Sequence, residues 1–511
     1  MPAHMPTSQR SPRFQRTRVL DLIERIGNKL PEPMIIFLWL IAAILLFSAV
    51  LAAMGVSVTH PDTGEDVRVQ SLLSGEGVQF ILENTVSNFV GFAPVGTVLT
   101  MMLGIGLADK TGLLRALVRA TLLRTPAWLL PYAVFLVANN AVLALDAAFL
   151  IVPPLAAIVY RTLGRNPLVG IISAFAGCSS GYASGIVITA LDPMLAGIST
   201  EAAAILGTDL VVTPADNYYV FLVSMVGCVL VGGTITRWVI EPRLGPYEGD
   251  HQASAEPLTV LEKRGLIASG TVAALYLGGI AAAALVPGSP LQNEDGGLIP
   301  SPLLGGIVPV LFIFFALVGL AYGIFAKEIR SGRDVVDRFA EAIGSMKFFL
   351  VVIFFIAQFS AYFSWTNIGL WISVNGADFL LSIDATGFGV LFGVIVVSAL
   401  LTLLITSGSG LWAILAPIFV PMLMQVGFHP AAIQMAYRIG DGSTSMITPL
   451  MPYMIVILGF MREWDKDKKL GHLISNTLPY AIAVFVTQTL VFLGFYYLDI
   501  PLGPGIGFHL E

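Results

Sequence analysis

The sequence has few charged residues. Lys, Arg, Asp and Glu account for 12% of its 511 residues, whereas about 25% is usual in soluble proteins. Apolar residues account for 56%, the mean hydropathy is +0.83, and many apolar runs approach or exceed the roughly 20 residues that span a bilayer. A transmembrane β-barrel would instead show short segments of alternating polarity. The sequence therefore predicts an all-α integral membrane protein.

Cysteine and histidine are also scarce. The two cysteines, Cys178 and Cys228, both fall in predicted spans, so no disulfide framework is expected. The six histidines lie in predicted tails, loops or span ends, which argues against a clustered zinc site. Neither HExxH nor GxSxG occurs in the chain, so the sequence offers no sign of a zinc peptidase or a serine hydrolase.

Basic residues mark the predicted cytoplasmic side. Six of them fall within residues 1–33, so the positive-inside rule places this tail in the cytoplasm. No cleavable signal peptide is expected, because the first apolar run suits a span better than a signal sequence. We expect a multi-pass protein of the inner membrane. Its unbroken spans are predicted at 34–56, 90–108, 209–236, 265–286, 304–326, 348–372 and 478–499.

Two apolar stretches, 126–160 and 387–425, are too long for one span and too short for two. The distribution of basic residues predicts that both ends of each stretch lie on the same side of the membrane. This indicates two re-entrant hairpins. The first hairpin is interrupted near Asn139, Asn140 and Asp146 and is predicted to end at Pro153 and Pro154. The second is interrupted by ITSGSGLWA and is predicted to end at Pro417 and Pro421.

A span broken by glycine and serine follows each hairpin, at 167–198 and at 431–460. Gly164, Pro167, Gly177 and Ser180 recur 263 residues later as Gly427, Pro430, Gly440 and Ser443. We predict two halves of opposite orientation, 34–245 and 265–511, joined by a cytoplasmic linker at 246–264. The architecture would be nine transmembrane helices plus two hairpins in an inverted repeat, which is typical of secondary transporters.

Arg438 is the basic residue that does not fit the topology. Of 27 Lys and Arg residues, 25 fall in predicted cytoplasmic segments and Arg68 falls in a predicted outer loop. Arg438 lies within an apolar stretch, where a permanent charge costs roughly 2.5–3.5 kcal/mol on insertion scales. Such a residue indicates a functional site. A structural ion pair with Asp441 is the alternative.

Helices broken within the membrane expose backbone groups that attract ions. One site is predicted between Asn139–Asn140 and the break at 177–185, and another between 406–409 and the break at 438–443. Four carboxylates lie near these sites: Asp146, Asp192, Asp216 and Asp441. We favour Asp192 and Asp441 as carriers of a proton or Na⁺, since Asp146 can cap a half-helix and Asp216 can lie at a span end.

Rival functions remain open at this point. An intramembrane aspartyl protease would use two span carboxylates such as Asp192 and Asp441, but RIGDGS lacks a glycine that such enzymes show. A passive channel would not need the inverted hairpins. Trp412 suits either a substrate-stacking surface or an interfacial aromatic belt.

The runs NFVGFAPVGTVLTMMLGIGLADKTGLL, WAILAPIFVPM and AYRIGDGSTSMITPLMPY resemble those of the AbgT family of p-aminobenzoyl-glutamate transporters. The resemblance covers about 34–505. It implies a homodimer of nine-helix protomers with two hairpins, related in architecture to sodium-coupled dicarboxylate carriers. It also implies uptake of p-aminobenzoyl-glutamate or efflux of sulfonamide antimetabolites.

The resemblance places family site residues on Asp192, Ser409, Trp412, Arg438 and Asp441, which are the residues chosen above. Adding the polar residues of the breaks gives two predicted sets. The substrate-binding set is Asp192, Ser409, Trp412, Arg438 and Asn139. The coupling-ion set is Asp192, Asp441, Asn140, Ser407 and Ser443.

Three positions depart from the family pattern. Gly185 and Thr402 stand where members typically carry Asn, and Leu411 stands where they carry Lys. The sequence therefore predicts a secondary transporter of p-aminobenzoyl-glutamate or related aromatic anions, driven by a proton or sodium gradient. The alternative is a sodium-coupled dicarboxylate or amino-acid-like carrier. We expect membrane lipid but no nucleic acid as a partner, and no cofactor beyond the coupling ion.

Overall fold

The structure is a computed structural model that describes residues 33–61, 63–144, 146–249 and 257–510. The predicted cytoplasmic tail 1–33 lies outside the described residues apart from Pro33, as does part of the predicted linker 246–264. The described chain is almost wholly helical, and eight of its helical segments are long and apolar enough to cross a membrane. The prediction of an all-α, multi-pass membrane protein is confirmed.

The first half begins with α1 (Pro33–Ala53), followed by an antiparallel pair of short strands, β1 (Ser57–Thr59) and β2 (Asp66–Arg68). The helices that follow are α2 (Gly75–Val90), α3 (Ala93–Lys110), α4 (Leu113–Arg124), α5 (Leu130–Ala141), α6 (Ala147–Thr162), α7 (Pro167–Ser180), α8 (Leu191–Ala203), α9 (Tyr218–Ile235) and α10 (Glu241–Leu244). Single 3₁₀ turns occur at Val142–Ala144, Gly181–Ala183 and Ala204–Leu206, and a π-helical turn joins α9 to α10 at Thr236–Ile240.

The second half contains eleven described helices. They are α11 (Val260–Leu285), α12 (Pro302–Gly305), α13 (Ile307–Phe325), α14 (Gly332–Gly344), α15 (Lys347–Trp365), α16 (Ile368–Ser382), α17 (Phe388–Thr402), α18 (Gly408–Gln425), α19 (Pro430–Thr444), α20 (Pro452–Trp464) and α21 (Leu470–Tyr497).

The long helices agree with the predicted spans. Seven of the eight candidate spans overlap the seven unbroken spans predicted from the sequence, and the eighth is α18, one arm of the predicted second hairpin. The two predicted broken spans are each built from two shorter helices, α7 with α8 and α19 with α20. The prediction of nine spans in an inverted repeat is compatible with these elements and stays a prediction.

Some local predictions were wrong or incomplete. The sequence did not predict α2, α4 or α14, and α14 is capped by reciprocal hydrogen bonds between Ser331 and Asp334. The prolines expected to end the hairpins instead lie inside helices: Pro153 and Pro154 in α6, and Pro417 in α18 with Pro421. Neighbouring helices in a membrane protein supply partners for the backbone groups that a proline frees, so proline need not end a helix there.

The two broken spans begin in the same way. Gly164 and Gly427 have positive φ values of 72° and 102°, a conformation that glycine adopts without steric cost. A side-chain cap then starts each helix, with Asn166 on the Leu168 amide and His429 on the Ala431 amide. The four-residue match found in the sequence therefore corresponds to two equivalent helix starts.

Each broken span is packed tightly against one arm of its hairpin. A Cβ atom on Gly177 would collide with Ala138 and the Phe135 carbonyl of α5, and one on Gly440 would collide with α17 at Ile395. Glycine at these two positions lets the helices approach closely. The consequence is that residues near both hairpin tips face the breaks in the spans.

Candidate functional site

Arg438 forms a buried ion pair with Asp192. Arg438 lies in the middle of α19 and Asp192 in the first turn of α8, and Nη1 lies 2.6 Å from Oδ1. Both side chains are about 3% exposed. The alternative partner considered from the sequence was Asp441. The structure instead pairs Arg438 with a residue of the other half of the chain.

Further hydrogen bonds hold both side chains of this pair. Arg438 Nε donates to the Tyr182 carbonyl at 2.7 Å, and the Asp192 Oδ2 atom accepts from the Thr189 hydroxyl at 2.9 Å and from the Thr189 amide. The guanidinium lies over the Phe221 ring at 4.4 Å. A buried ion pair is tolerated when such additional hydrogen bonds are present, and an aromatic face attracts a desolvated cation.

Trp412 belongs to an aromatic group beside the ion pair. Its ring stacks on Tyr437, with centroids 4.7 Å apart and an interplanar angle of 25°. The indole Nε1 donates to the Ser199 hydroxyl at 3.1 Å, and that hydroxyl lies 2.8 Å from Gln434 Oε1. Trp412 is completely buried, so in this conformation it is a packed residue at the site and not an interfacial one.

The tip of the second hairpin closes over this aromatic group. Ser407 caps α18 by accepting from the Gly410 amide at 3.3 Å, and Ser409 in the first turn is half-buried. The Tyr437 hydroxyl donates to the Gly408 carbonyl. The hairpin tip, α8 and α19 are therefore held together by side chains of both halves of the chain.

Asp441 lies three residues after Arg438 in α19 and faces α17. Its Oδ1 atom accepts from the Thr402 hydroxyl at 2.7 Å, and both residues are buried. Ser443, another predicted ion ligand, donates to the Ile439 carbonyl at 2.7 Å within its own helix. Asp192 and Asp441 have different partners, which is unlike the shared carboxylate pair of an aspartyl protease.

The predicted first site has its own hydrogen-bond network. Asn139 Nδ2 donates to the Ser180 and Ser184 hydroxyls at 3.0 and 2.8 Å. Asn140 contacts a different part of the chain, because its Oδ1 accepts from the Ile186 amide at 2.8 Å. The tip of the first hairpin therefore contacts the chain on both sides of the break that follows α7.

The turn Gly181–Ala183 links the two predicted sites. Its Tyr182 carbonyl accepts from Arg438, and the serines that flank it bind Asn139. The Cβ position of Gly442 lies 3.2 Å from the Tyr182 side chain, so α19 packs directly on this turn. One composite site results, with Asn139 separated from Arg438 by a single turn of chain.

The three departures from the family pattern occupy different environments. Thr402 binds Asp441, so a polar contact is retained there. Leu411 is completely buried, as expected for an apolar side chain in place of a cation. A Cβ atom on Gly185 would make ordinary contacts with the Val187 carbonyl and Asn140, so the space at this position does not require glycine.

Sequence reasoning missed several residues that complete the site. Tyr437 directly precedes Arg438, and Tyr182 lies within the predicted break, so their positions were available as signals. Phe221, Ser199 and Gln434 carry no comparable signal, because they reach the site only through the packing of α9, α8 and α19. Among the described residues, no three His, Cys, Asp or Glu side chains are grouped to hold a metal.

This geometry suits recognition of an aromatic anion. A guanidinium can bind a carboxylate through two hydrogen bonds, and stacked aromatic rings offer an apolar face to a planar group. Arg438 and the Trp412–Tyr437 pair supply both features within one buried region.

Comparison with known proteins gives the same picture over the whole chain. The model of a family described as "AbgT putative transporter family" matches residues 18–510. The p-aminobenzoyl-glutamate transport protein of Escherichia coli (strain K12) is 39% identical over 493 residues, which cover 96% of this chain and 97% of that protein.

Two solved structures are similar to this one. The Alcanivorax borkumensis YdaH transporter, described as having an unusual topology, aligns with a TM-score of 0.88 at 35% identity, covering 93% of this chain and all of the other. Neisseria gonorrhoeae MtrF, described as illuminating a class of antimetabolite efflux pumps, aligns with a TM-score of 0.89 at 39% identity, covering 96% of this chain and all of the other.

Proposed function

Because the chain belongs to the AbgT transporter family, we propose that it is a secondary active transporter of p-aminobenzoyl-glutamate and related aromatic anions, including sulfonamide-type antimetabolites. The similar E. coli protein is named for p-aminobenzoyl-glutamate transport, and the similar N. gonorrhoeae protein is described with antimetabolite efflux pumps. A substrate with an aromatic ring and a carboxylate matches the chemistry of the composite site.

The observation that carries this proposal is the buried Arg438–Asp192 pair beside the Trp412–Tyr437 stack. A substrate carboxylate would replace Asp192 on the guanidinium, which keeps Arg438 paired at every stage. This matters because an unpaired buried charge is strongly destabilising. The aromatic ring of the substrate would then lie against Trp412 or Tyr437.

Substrate entry requires the second hairpin to separate from α8 and α19. This movement would break the hydrogen bonds of Trp412 with Ser199 and of the Tyr437 hydroxyl with the Gly408 carbonyl, and it would separate the stacked rings of Trp412 and Tyr437. Both hydrogen bonds lie at the start of α18, next to Ser409. We therefore assign Ser409 to the substrate-facing surface that this movement exposes.

For coupling, we propose that Asp192 and Asp441 carry the ion. Once displaced from Arg438, Asp192 is an isolated carboxylate that takes up a proton or a Na⁺ ion. Asp441 has a hydroxyl partner and no cation within its ion-pair distance among the described residues, so it remains available to a cation. Asn140, Ser407 and Ser443 stand on the two hairpin tips and on α19 as secondary oxygen ligands.

We also propose that the transporter is a homodimer in the inner membrane with a cytoplasmic N-terminus. The dimer follows from the family resemblance. The orientation follows from the positive-inside rule, since the exposed ends of α13 and α20 carry Lys327 and Arg462.

The test is transport by purified protein in proteoliposomes. Labelled p-aminobenzoyl-glutamate, a sulfonamide and a simple dicarboxylate are offered under a sodium gradient and a pH gradient applied separately. Wild-type protein should move p-aminobenzoyl-glutamate, and Arg438→Ala should abolish transport. Arg438→Lys should recover little, because an ammonium cannot reproduce the planar guanidinium fork.

Arg462→Ala is the matched control, since this exposed arginine at the end of α20 donates to the Lys468 carbonyl and should be dispensable. Full flux through Arg438→Ala would contradict the carboxylate clamp. Transport of the dicarboxylate alone would favour the alternative carrier, and a response to sodium alone would exclude proton coupling at Asp192. Product formation without gradient dependence would indicate an enzyme.

A further inference from the structure

Two polar contacts join α8 to α19 along one seam. The first is the ion pair of Asp192 with Arg438. In the second, the Ser199 hydroxyl donates to Gln434 Oε1 at 2.8 Å. Gln434 lies one turn before Arg438 in α19, so these two side chains share a face of that helix. All four residues of the seam are at most 3% exposed. The seam therefore has a charged end and a neutral polar end.

An N–H group on an aromatic ring fills the neutral end in this conformation. The Trp412 indole Nε1 donates to Ser199 Oγ at 3.1 Å, and the indole ring stacks on Tyr437. An indole nitrogen can only donate, so Ser199 is the acceptor in this bond. The neutral end of the seam is thus a buried acceptor for an N–H group, placed beside an aromatic face.

Opening of the second hairpin would remove this donor. Trp412 belongs to α18, whereas Ser199 belongs to α8, and Gln434 and Tyr437 belong to α19. When α18 moves away from α8 and α19, Ser199 loses its donor and Tyr437 loses its stacking partner. A buried acceptor without a donor is unfavourable. The vacated place therefore favours a ligand that supplies both a planar ring and an N–H group.

The two substrate classes of the proposed function have such a group in common. p-Aminobenzoyl-glutamate and sulfonamide antimetabolites both carry a primary amine on a benzene ring, para to the carbonyl or sulfonyl group. The glutamyl carboxylates belong to the first class alone. We propose that Ser199 and Gln434 bind this arylamine, while its ring lies on Tyr437 in the place of the Trp412 indole. This inference deepens the proposed function and rests on it.

The count of donors and acceptors agrees with a primary amine. Such an amine has two N–H groups. The Ser199 hydroxyl can direct its own proton to the Leu195 carbonyl, which lies 2.9 Å away. Ser199 Oγ and Gln434 Oε1 can then accept one N–H each. Arg438 lies about 6 Å from Gln434 along α19, by the rise of four helical residues, so the glutamyl carboxylate of the same ligand can reach the guanidinium.

The test is binding of matched compounds that differ only in the amine. The first pair is p-aminobenzoyl-glutamate and benzoyl-glutamate, and the second is sulfanilamide and benzenesulfonamide. Binding to the full chain in nanodiscs is measured by the thermal unfolding midpoint, which a ligand of the folded state raises. In both pairs, the compound that lacks the amine should need about tenfold more for half of the effect, because it leaves buried acceptors without a donor.

Two variants each remove one acceptor. Ser199→Ala and Gln434→Met should lower this ratio to about threefold or less, by weakening the amine-bearing compounds alone. A purely structural effect would instead weaken both members of a pair by the same factor. Ser269→Ala is the matched control, because this buried serine donates to the Val318 carbonyl between α11 and α13. It should leave the ratio unchanged.

The wild-type comparison decides the inference even if a variant fails to fold. Equal binding within the pairs would overturn the arylamine site and leave the proposed function standing. A preference for the amine in one pair alone would also overturn it, because the site is assigned to the group that both classes share. An unchanged ratio in both variants would overturn the assignment to Ser199 and Gln434. No binding of p-aminobenzoyl-glutamate would contradict the proposed function itself, and the arylamine site with it.

Discussion

At the scale of single residues, the charge that stands out in the sequence is neutralised across the two halves of the chain. Arg438 reaches Asp192, which lies 246 positions earlier, and the Tyr182 carbonyl and the Phe221 ring complete its surroundings. Each half thus supplies one charge of the pair. A substrate that exchanges with Asp192 would therefore act directly on the contact between the halves.

The cost of separating this pair can be measured. Asp192→Asn should lower the thermal unfolding midpoint strongly, because breaking a buried ion pair by removing one partner costs about 3–5 kcal/mol. The double variant Asp192→Leu/Arg438→Leu should be much closer to wild type, since it leaves no buried charge. Calorimetry of the purified variants gives both midpoints. If the double variant unfolded at as low a temperature as Asp192→Asn, the unpaired charge would not be the cause of the lost stability.

At the scale of elements, two glycines hold the broken spans against the hairpins. Gly177 faces α5 and Gly440 faces α17, in each case with backbone atoms of the hairpin arm within reach of a Cβ atom. The two glycines lie 263 residues apart, at matching positions of the predicted repeat. They place Asn139 and Thr402 opposite the breaks.

Gly440→Ala and Gly177→Ala should both destabilise the protein, by about 1–3 kcal/mol, because added volume in a packed interface forces the helices apart. Gly459→Ala is the control. Gly459 lies within α20 with nothing near its Cβ position, and alanine favours a helix there. The midpoints of thermal unfolding report the effect, and an equal shift in all three variants would contradict the close-packing explanation.

At the scale of the whole molecule, the apolar helices and the distribution of basic residues predict how the chain crosses the membrane. Eight helical segments within the described part of the chain are long and apolar enough to cross a membrane. The exposed residue Lys466 lies beyond α20, and the exposed residue Asp295 lies between α11 and α12. The positive-inside rule puts them on opposite sides.

Cysteine labelling tests this topology without a background signal, because Cys178 and Cys228 are both buried. In intact spheroplasts, an impermeant maleimide should label Asp295→Cys but not Lys466→Cys. After permeabilisation both variants should react. Labelling of Lys466→Cys from outside would reverse the predicted orientation.

The sequence by itself determined the membrane class and the positions of the seven unbroken spans, because apolar length is a local property of the chain. It also predicted the two interrupted hairpins from their length and basic flanks. It also singled out Arg438, since one permanent charge in an apolar run needs no alignment to be noticed. The recurrence of glycine and proline located the helix starts correctly. It did not predict α2, α4 or α14, and it placed the hairpin prolines at helix ends.

Only the tertiary structure decided which groups meet. It paired Arg438 with Asp192 and not with its near neighbour Asp441, and it brought Phe221 and Ser199 to the site. These contacts join residues far apart in the sequence, and a residue that reaches a site through helix packing looks like any other residue of a span. The sequence could show that a charge needed a partner, but the choice of partner depended on how the helices pack.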